Sequence, residues 1–343
     1  MRITIVGAGA MGSLAAARLS QAMSTPPASA PADSASAAAI ERVLLYGRPS
    51  DHLAAIAANG LHLTELDGTT RTVAIETASD PAAVGGSDVV IVLVKSWATA
   101  EAVAPLRPYL TRDTVVLTLQ NGLGNASALR NALLAQGIRP HVWLGVTTQA
   151  AIRTAPGELA HTGAGITAIG RRRDSTNTSI QQLAATLTAA DWQTVAVDDI
   201  HRWVWRKLAV NCAINPLTAL AGVPNAEIGD DPKLGAIATQ LASEVVAVAH
   251  ARKVRVDLAN VLAAIEDVAR ATGTNRSSML VDLEHNQRTE IDAINGAVVA
   301  EGARYGIPTP VNEMMVALIQ ARERQTIHDA APRETATAST PED

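Results

Sequence analysis

Gly7-Ala8-Gly9-Ala10-Met11-Gly12 constrains this chain more than any other stretch. A β-rich run at 2–6 precedes it and a helix-forming run at 13–21 comes after it. Three glycines at these offsets, between a strand and a helix, are the pattern of a strand–turn–helix unit that takes a dinucleotide. The first glycine permits the tight turn, the second lets a pyrophosphate approach the backbone, and the third lets the helix pack on the strand. The helix N-terminus then offers its free N–H groups to the phosphates. A tight turn without a ligand is the alternative. The placement directly after a strand favours the dinucleotide.

Beyond the motif the chain alternates strand and helix, so an α/β fold with a Rossmann-type parallel sheet is expected. Residues 24–39 are rich in Pro, Ser and Ala and read as a flexible surface insertion. A second strand at 42–46 ends in Tyr46-Gly47-Arg48. NAD-binding proteins usually place Asp or Glu there for the ribose hydroxyls, whereas an arginine suits a 2′-phosphate. Arg48 therefore favours NADP, with a solvated loop arginine as the alternative. The run 88–94 is continuously apolar, as a buried parallel strand should be, and ends at Lys95. The run 114–119 is another and ends at Gln120-Asn121-Gly122-Leu123-Gly124. Ligands of open α/β sheets bind beyond the carboxyl ends of strands, where Lys95 and Asn121 stand. Strands at 141–148 and 165–170, with a Pro156-Gly157 turn between them, a helix at 179–192 and a strand at 194–197 complete the domain.

After residue 198 the pattern is helical only, which gives a dinucleotide domain at 1–198, an all-α domain at 199–328 and a disordered tail at 329–343. The first helix, 203–218, is apolar nearly all the way round, as buried helices are. Lys207, Asn211 and Asn215 interrupt it at i, i+4 spacing and form one polar stripe. Such a stripe needs internal partners or a polar cavity with a ligand. Pro216 should end or kink the helix near Asn215. Further helices are expected at 232–252, 257–272 and 277–286. Another opens at Thr289, with Asp292 as its capping partner, and a last one runs over 312–324 after Pro308 and Pro310.

Composition narrows the rest. With 343 residues and 48% hydrophobic residues the chain can bury a sizeable core. Its net charge of −5 offers no footprint for nucleic acid. The single cysteine, Cys212, cannot form an internal disulfide, which fits a reducing, cytoplasmic setting. The N-terminal run with Ala28-Ser29-Ala30 imitates a signal peptide. The fixed glycines and Arg18 favour the strand–turn–helix reading, and no other stretch reads as a membrane span. The histidines form no metal-ligand spacing, so no metal is expected. No nucleophile motif of the G-x-S-x-G kind occurs.

Taken in order, the glycine motif, Lys95, QNG at 120–122, WRKLAVNCAINPLTAL at 205–220, SSMLVD at 277–282 and RTEIDAING at 288–296 resemble the ketopantoate reductase family over residues 1–325. The resemblance implies NADPH-dependent reduction of 2-dehydropantoate to (R)-pantoate in pantothenate biosynthesis. It makes Lys207 the general acid and Glu290 the residue that orients the substrate hydroxyl. It places Asn121, Asn211, Asn215, Asn275 and Ser278 against the substrate, with Asp282 close by. Gly7, Ala8, Gly9, Ala10, Met11, Gly12, Arg48, Lys95, Asn121 and Glu290 would border the cofactor, and the site would lie between the two domains. The partner is a small 2-oxo acid, and a homodimer is left open. A positioned ammonium suits this chemistry, since hydride addition builds negative charge on the carbonyl oxygen. Glu290 could instead complement a helix dipole. Asn275, Ser278 and Asp282 could instead serve capping and surface polarity. A reductase of another 2-oxo acid and a non-catalytic NADP-binding sensor are the competing functions; retention of Lys207 with Glu290 counts against the sensor.

Overall fold

The computed structural model describes residues 1–23, 37–134, 141–170 and 180–330. Most of the expected insertion, 24–36, and residues 331–343 of the expected tail lie outside it. In chain order the elements begin with β1 (Arg2–Val6), α1 (Ala10–Met23), β2 (Arg42–Tyr46), α2 (Asp51–Asn59), β3 (Leu61–Thr64), β4 (Thr70–Val73), β5 (Glu76–Ala78) and β6 (Val89–Val92). They continue with α3 (Thr99–Val103), β7 (Val115–Thr118), α4 (Asn125–Leu134), β8 (His141–Thr147), β9 (Ala150–Ala155), β10 (Glu158–Gly163), β11 (Thr167–Gly170), α5 (Ile180–Ala189) and β12 (Thr194–Ala196). The remaining elements are helices: α6 (Ile200–Ala221), α7 (Glu227–Asp230), α8 (Pro232–Ala251), α9 (Leu258–Ala271), α10 (Ser278–Glu284), α11 (Asn295–Tyr305) and α12 (Pro310–Ala330).

The chain forms two compact units. The first holds Met1–Ala209 with Ala249–Asp257, and the second holds Val210–Val248 with the described residues from Leu258 onward. The division falls inside α6. The first unit is built on an eight-stranded sheet, ordered β12-β11-β8-β7-β6-β1-β2-β5. Side chains alternate strictly across it. Ile3, Ile5, Val43, Leu45, Val89, Ile91, Val115 and Leu117 join one core, with α1 and α5. Leu44, Val90, Val92 and Val116 join the core on the other face, with α4. Both faces are covered, which is why β6 and β7 read as unbroken apolar runs.

The parallel α/β domain followed by a helical domain matches the sequence reading, with refinements. β11 runs antiparallel to β8, so the sheet is mixed at one end. A second sheet, β4-β3-β10-β9, was not legible; its arms flank the Pro156-Gly157 turn. Pro216 does not end its helix, because α6 continues to Ala221. No helix opens at Thr289: residues 290–294 form turns and α11 begins at Asn295. Pro310 opens α12, a position where its missing N–H costs nothing, and α12 runs into the expected tail as far as Ala330. The expectation that no stretch could cross a membrane also needs correction. Helix α8 is long and apolar enough by length and composition. It is a core helix: Ala238, Leu241, Ala242, Val245 and Val248 are buried, and Glu244 lies on it.

Candidate active site

The glycine turn after β1 has the shape a pyrophosphate needs. Gly7 adopts φ +116°, and a Cβ there would meet Val94 at 2.9 Å. A Cβ on Gly12 would run into the Gly7 carbonyl oxygen, so that residue must be bare for α1 to pack on β1. A Cβ on Gly9 would meet nothing within 4 Å. That exposed, open position is where a phosphate can lie against the backbone. Ala8, Ala10 and Met11 complete the turn, and α1 opens at Ala10, so its first amides lie at the turn. The Gly7 N–H donates to Tyr46 O at 2.8 Å, so the end of β2 is tied to the turn. Arg48 comes two residues later, 77% exposed, with Nη1 3.3 Å from Glu101 Oε1. These residues fit a dinucleotide with its pyrophosphate at Gly9 and its ribose toward Arg48.

The sheet order lines up the other candidates of this unit. β8, β7, β6, β1 and β2 are consecutive, parallel neighbours. Thr147 ends β8, the loop with Asn121 follows β7, Lys95 follows β6, the glycine turn follows β1 and Arg48 follows β2. With ~5 Å between strands these groups form one row along the carboxyl edge. Lys207 comes to that row from α6. Its Nζ donates to Asn121 Oδ1 and to Thr147 O, each at 2.7 Å. Two acceptors thus fix the half-buried ammonium between the ends of β7 and β8. Asn121 is held in turn, since Asn125 Nδ2 donates to its carbonyl at 2.8 Å. Gln120 anchors the loop through Val94 O and Thr99 Oγ1. Half-buried Lys95 precedes a 3-10 turn over Ser96–Ala98, which it does not cap.

In the second unit Asn211 is half-buried and Asn215 is buried on α6. Ser277 caps α10 by accepting from Leu280 N at 3.2 Å, and Thr218 Oγ1 lies 2.8 Å from its hydroxyl. Ser278, the residue singled out from sequence, is exposed in the first turn of α10. Asn275 is half-buried and Asp282 buried. Glu290 is buried in the turn before α11, so the dipole of a helix opening at Thr289 is not what it serves. Sequence reasoning passes over Asn225. Its N–H donates to Asn275 O at 3.0 Å and its Nδ2 to Thr272 Oγ1 at 2.9 Å. Its buried Oδ1 has no partner among the described residues, which invites a ligand hydroxyl or amide. It lies in a turn without periodicity, and only the structure brings it to Asn275.

Two family models match the chain in succession. One, ketopantoate reductase PanE/ApbA, matches residues 3–174, and another, its C-terminal counterpart, matches residues 199–323. The chain belongs to the ketopantoate reductase family. A 2-dehydropantoate 2-reductase of Halobacterium salinarum is 35% identical over 94% of this chain and 99% of its own length. That of Pyrococcus horikoshii is 33% identical over 94% and 98%. A family member from Ralstonia eutropha JMP134 has a similar solved structure, with TM-score 0.81, 32% identity and coverage of 95% and 99%. So does the ternary structure of D-mandelate dehydrogenase with NADH and anilino(oxo)acetate, with TM-score 0.83, 25% identity and the same coverage. The protein is thus an oxidoreductase of this family, whose relatives bind a nicotinamide dinucleotide.

Two other polar groupings in the first unit of this reductase-family chain are structural. His52 Nε2 lies 3.0 Å from Ser13 Oγ and resembles a hydrolytic pair. Gly157 N–H donates to its Nδ1, however, so the ring proton is on Nε2 and the imidazole cannot take the serine's proton. Burial keeps this histidine neutral by lowering its pKa, and Arg153 adds to the effect. Buried Arg18 donates twice to half-buried Glu65, at 2.7 and 2.6 Å. Burial alone would raise the Glu65 carboxyl, yet Arg18, Arg71 and His161 hold it below its ordinary value. This cluster ties α1 to the second sheet.

Proposed function

We propose that the protein catalyses reduction of 2-dehydropantoate to (R)-pantoate with NADPH. The placement of the Lys207 ammonium on Asn121 Oδ1 and Thr147 O, at the edge that carries the glycine turn, supports this reading most. When held at the glycine turn, the dinucleotide would supply the hydride for the carbonyl carbon of the substrate. The Lys207 ammonium stabilises the growing negative charge on the carbonyl oxygen and gives it a proton, which yields the 2-hydroxy acid. Asn121 and Thr147 hold the ammonium in one place, so the orientation is set before reaction. Asn211, Asn215, Asn225 and Asn275 are neutral donors and acceptors for carboxylate and hydroxyl groups. Glu290 accepts from the substrate hydroxyl. Arg48 receives the 2′-phosphate. The names of the Halobacterium and Pyrococcus relatives support the choice of substrate.

A second reading, reduction of another 2-oxo acid, draws on the likeness to D-mandelate dehydrogenase, whose structure holds anilino(oxo)acetate and NADH. Oxidation of NADPH and NADH by purified protein, against 2-dehydropantoate, 2-oxoisovalerate and phenylglyoxylate, separates the two. The expected result is the highest kcat/KM with 2-dehydropantoate and NADPH. A preference for phenylglyoxylate would favour the second reading, and tight NADPH binding without any turnover would favour a sensor.

A further inference from the structure

We propose that Asn295 is a positioning residue that holds the Glu290 turn in register with α6, and that Pro216 creates the acceptor on which it docks. The inference rests on the roles proposed above for Glu290, Asn211 and Asn215. Pro216 has no N–H, so the Cys212 carbonyl inside α6 lacks its usual donor four residues on. Cys212 is fully buried, and water cannot serve its carbonyl there. Asn295 Nδ2 donates to that oxygen at 3.2 Å. The second proton of the same nitrogen goes to Asn312 Oδ1 at 3.0 Å.

The direction of this chain of bonds is not open to an amide flip. Asn312 Nδ2 faces Leu241 O at 3.2 Å and Glu244 Oε2 at 2.7 Å, both acceptors. Its Oδ1 must therefore face Asn295, and Asn295 must donate. Glu244 is fixed as well, because it accepts the N–H groups of Val311 and Asn312 at the start of α12, both at 2.9 Å. Asn295 and Asn312 are 0% exposed. The result is a polar rod from the Glu244 carboxylate through two asparagines to α6.

Both ends of the Asn295 contact carry site candidates. Cys212 adjoins Asn211 and lies within one helical turn of Asn215. On the other side, Ala293 and Ile294 N–H both donate to Glu290 O at 3.0 Å, and Gly296 N–H donates to Ile291 O at 2.9 Å. The turn that bears Glu290 thus runs without slack into Asn295. An alanine at position 216 would satisfy Cys212 within the helix, so the bond from Asn295 to α6 would no longer be required, while its bond to Asn312 remains. Proline exchanges that internal bond for one between elements.

The test uses the full chain with Asn295→Ala, Pro216→Ala and the double variant. Kinetics with the oxo acid, NADPH affinity, thermal unfolding and hydrogen exchange at Ala293 and Ile294 are measured on each. Asn295→Ala should lower kcat/KM at least ~10-fold, leave NADPH affinity within about twofold, and lower Tm. The double variant should recover part of the Tm, since the N–H that Pro216→Ala restores now serves Cys212 while Asn312 Oδ1 still lacks its donor, and kcat/KM should stay low. Exchange at Ala293 and Ile294 should quicken at least ~10-fold in both variants that lack Asn295. If the double variant recovers kcat/KM together with Tm, Asn295 only satisfies a carbonyl and the proposal fails. It also fails if exchange at the turn is unchanged, a result that stands even if the wild type reduces no oxo acid. Should Asn295→Ala not fold, the double variant carries the comparison.

Discussion

Two glycines of one motif should fail in opposite ways when a methyl group is added. In Gly12→Ala the new Cβ meets the Gly7 carbonyl oxygen, and that backbone is pinned by its own bond to Tyr46 O. Neither side can yield without separating α1 from β1. Overpacking of this kind costs ~1–3 kcal/mol or more. In Gly9→Ala the Cβ meets nothing within 4 Å, so the protein without nucleotide should change by less than ~1 kcal/mol. The same methyl stands where the pyrophosphate would approach. NADPH affinity should fall at least ~10-fold, or about 1.4 kcal/mol. Thermal unfolding without nucleotide reads the first quantity and an NADPH titration followed by protein fluorescence reads the second. Gly12→Ala should lose Tm, while Gly9→Ala keeps Tm and loses binding. A Gly9→Ala protein that binds NADPH like the wild type would refute the placement of the phosphates.

Arg48→Ala should shrink the preference for NADPH over NADH by roughly tenfold to a hundredfold, the size of a charge-assisted phosphate contact of ~1.5–3 kcal/mol. Equal use of both dinucleotides by the wild type would remove the role given to Arg48. Glu65→Gln removes the carboxylate that Arg18 donates to twice, leaving it the exposed Asp191 at 3.2 Å, and should cost ~1–3 kcal/mol in thermal or urea unfolding, without changing substrate preference. Glu65 and His52 have lowered pKa values, so the folded state holds fewer protons than the unfolded chain in the acid range. Their stabilising contribution should be full above about 6.5 for His52 and 4.5 for Glu65, and fade as pH falls below those values. Glu65→Gln should flatten the lower part of that decline; an unchanged acid slope would contradict the assignment.

Much of the first unit was legible because its signals are local. The glycine turn and the apolar runs of β6 and β7 follow from backbone sterics and from burial on both faces. The ends of those strands then mark Lys95 and Asn121 before any contact is known. The second sheet escapes because its strands are short, half-exposed and paired across distant segments, as β3 is with β10. Pro216 misleads for a similar reason. The local rule ends or kinks the helix; the helix continues, and the donor that serves the Cys212 carbonyl comes from Asn295, 83 residues from that cysteine. Thr289 and Asp292 imitate a cap and so suggest a helix at Glu290; in the structure Thr289 Oγ1 accepts from Ile291 N at 3.1 Å and serves a turn. Thr147 could not be found from sequence, since its backbone carbonyl is what Lys207 uses.

The central claim is that Lys207 gives a proton to the reduced carbonyl, and kcat and Tm measured on one Lys207→Ala protein test it most directly. The substitution leaves Asn121 Oδ1 and Thr147 O without this donor, a structural loss of ~1–3 kcal/mol. If Lys207 is the acid, kcat should fall at least ~10²-fold while NADPH affinity holds, because in this proposal the phosphates are held by the glycine turn. A folded Lys207→Ala protein that reduces its oxo acid within a few-fold of the wild type would contradict the account.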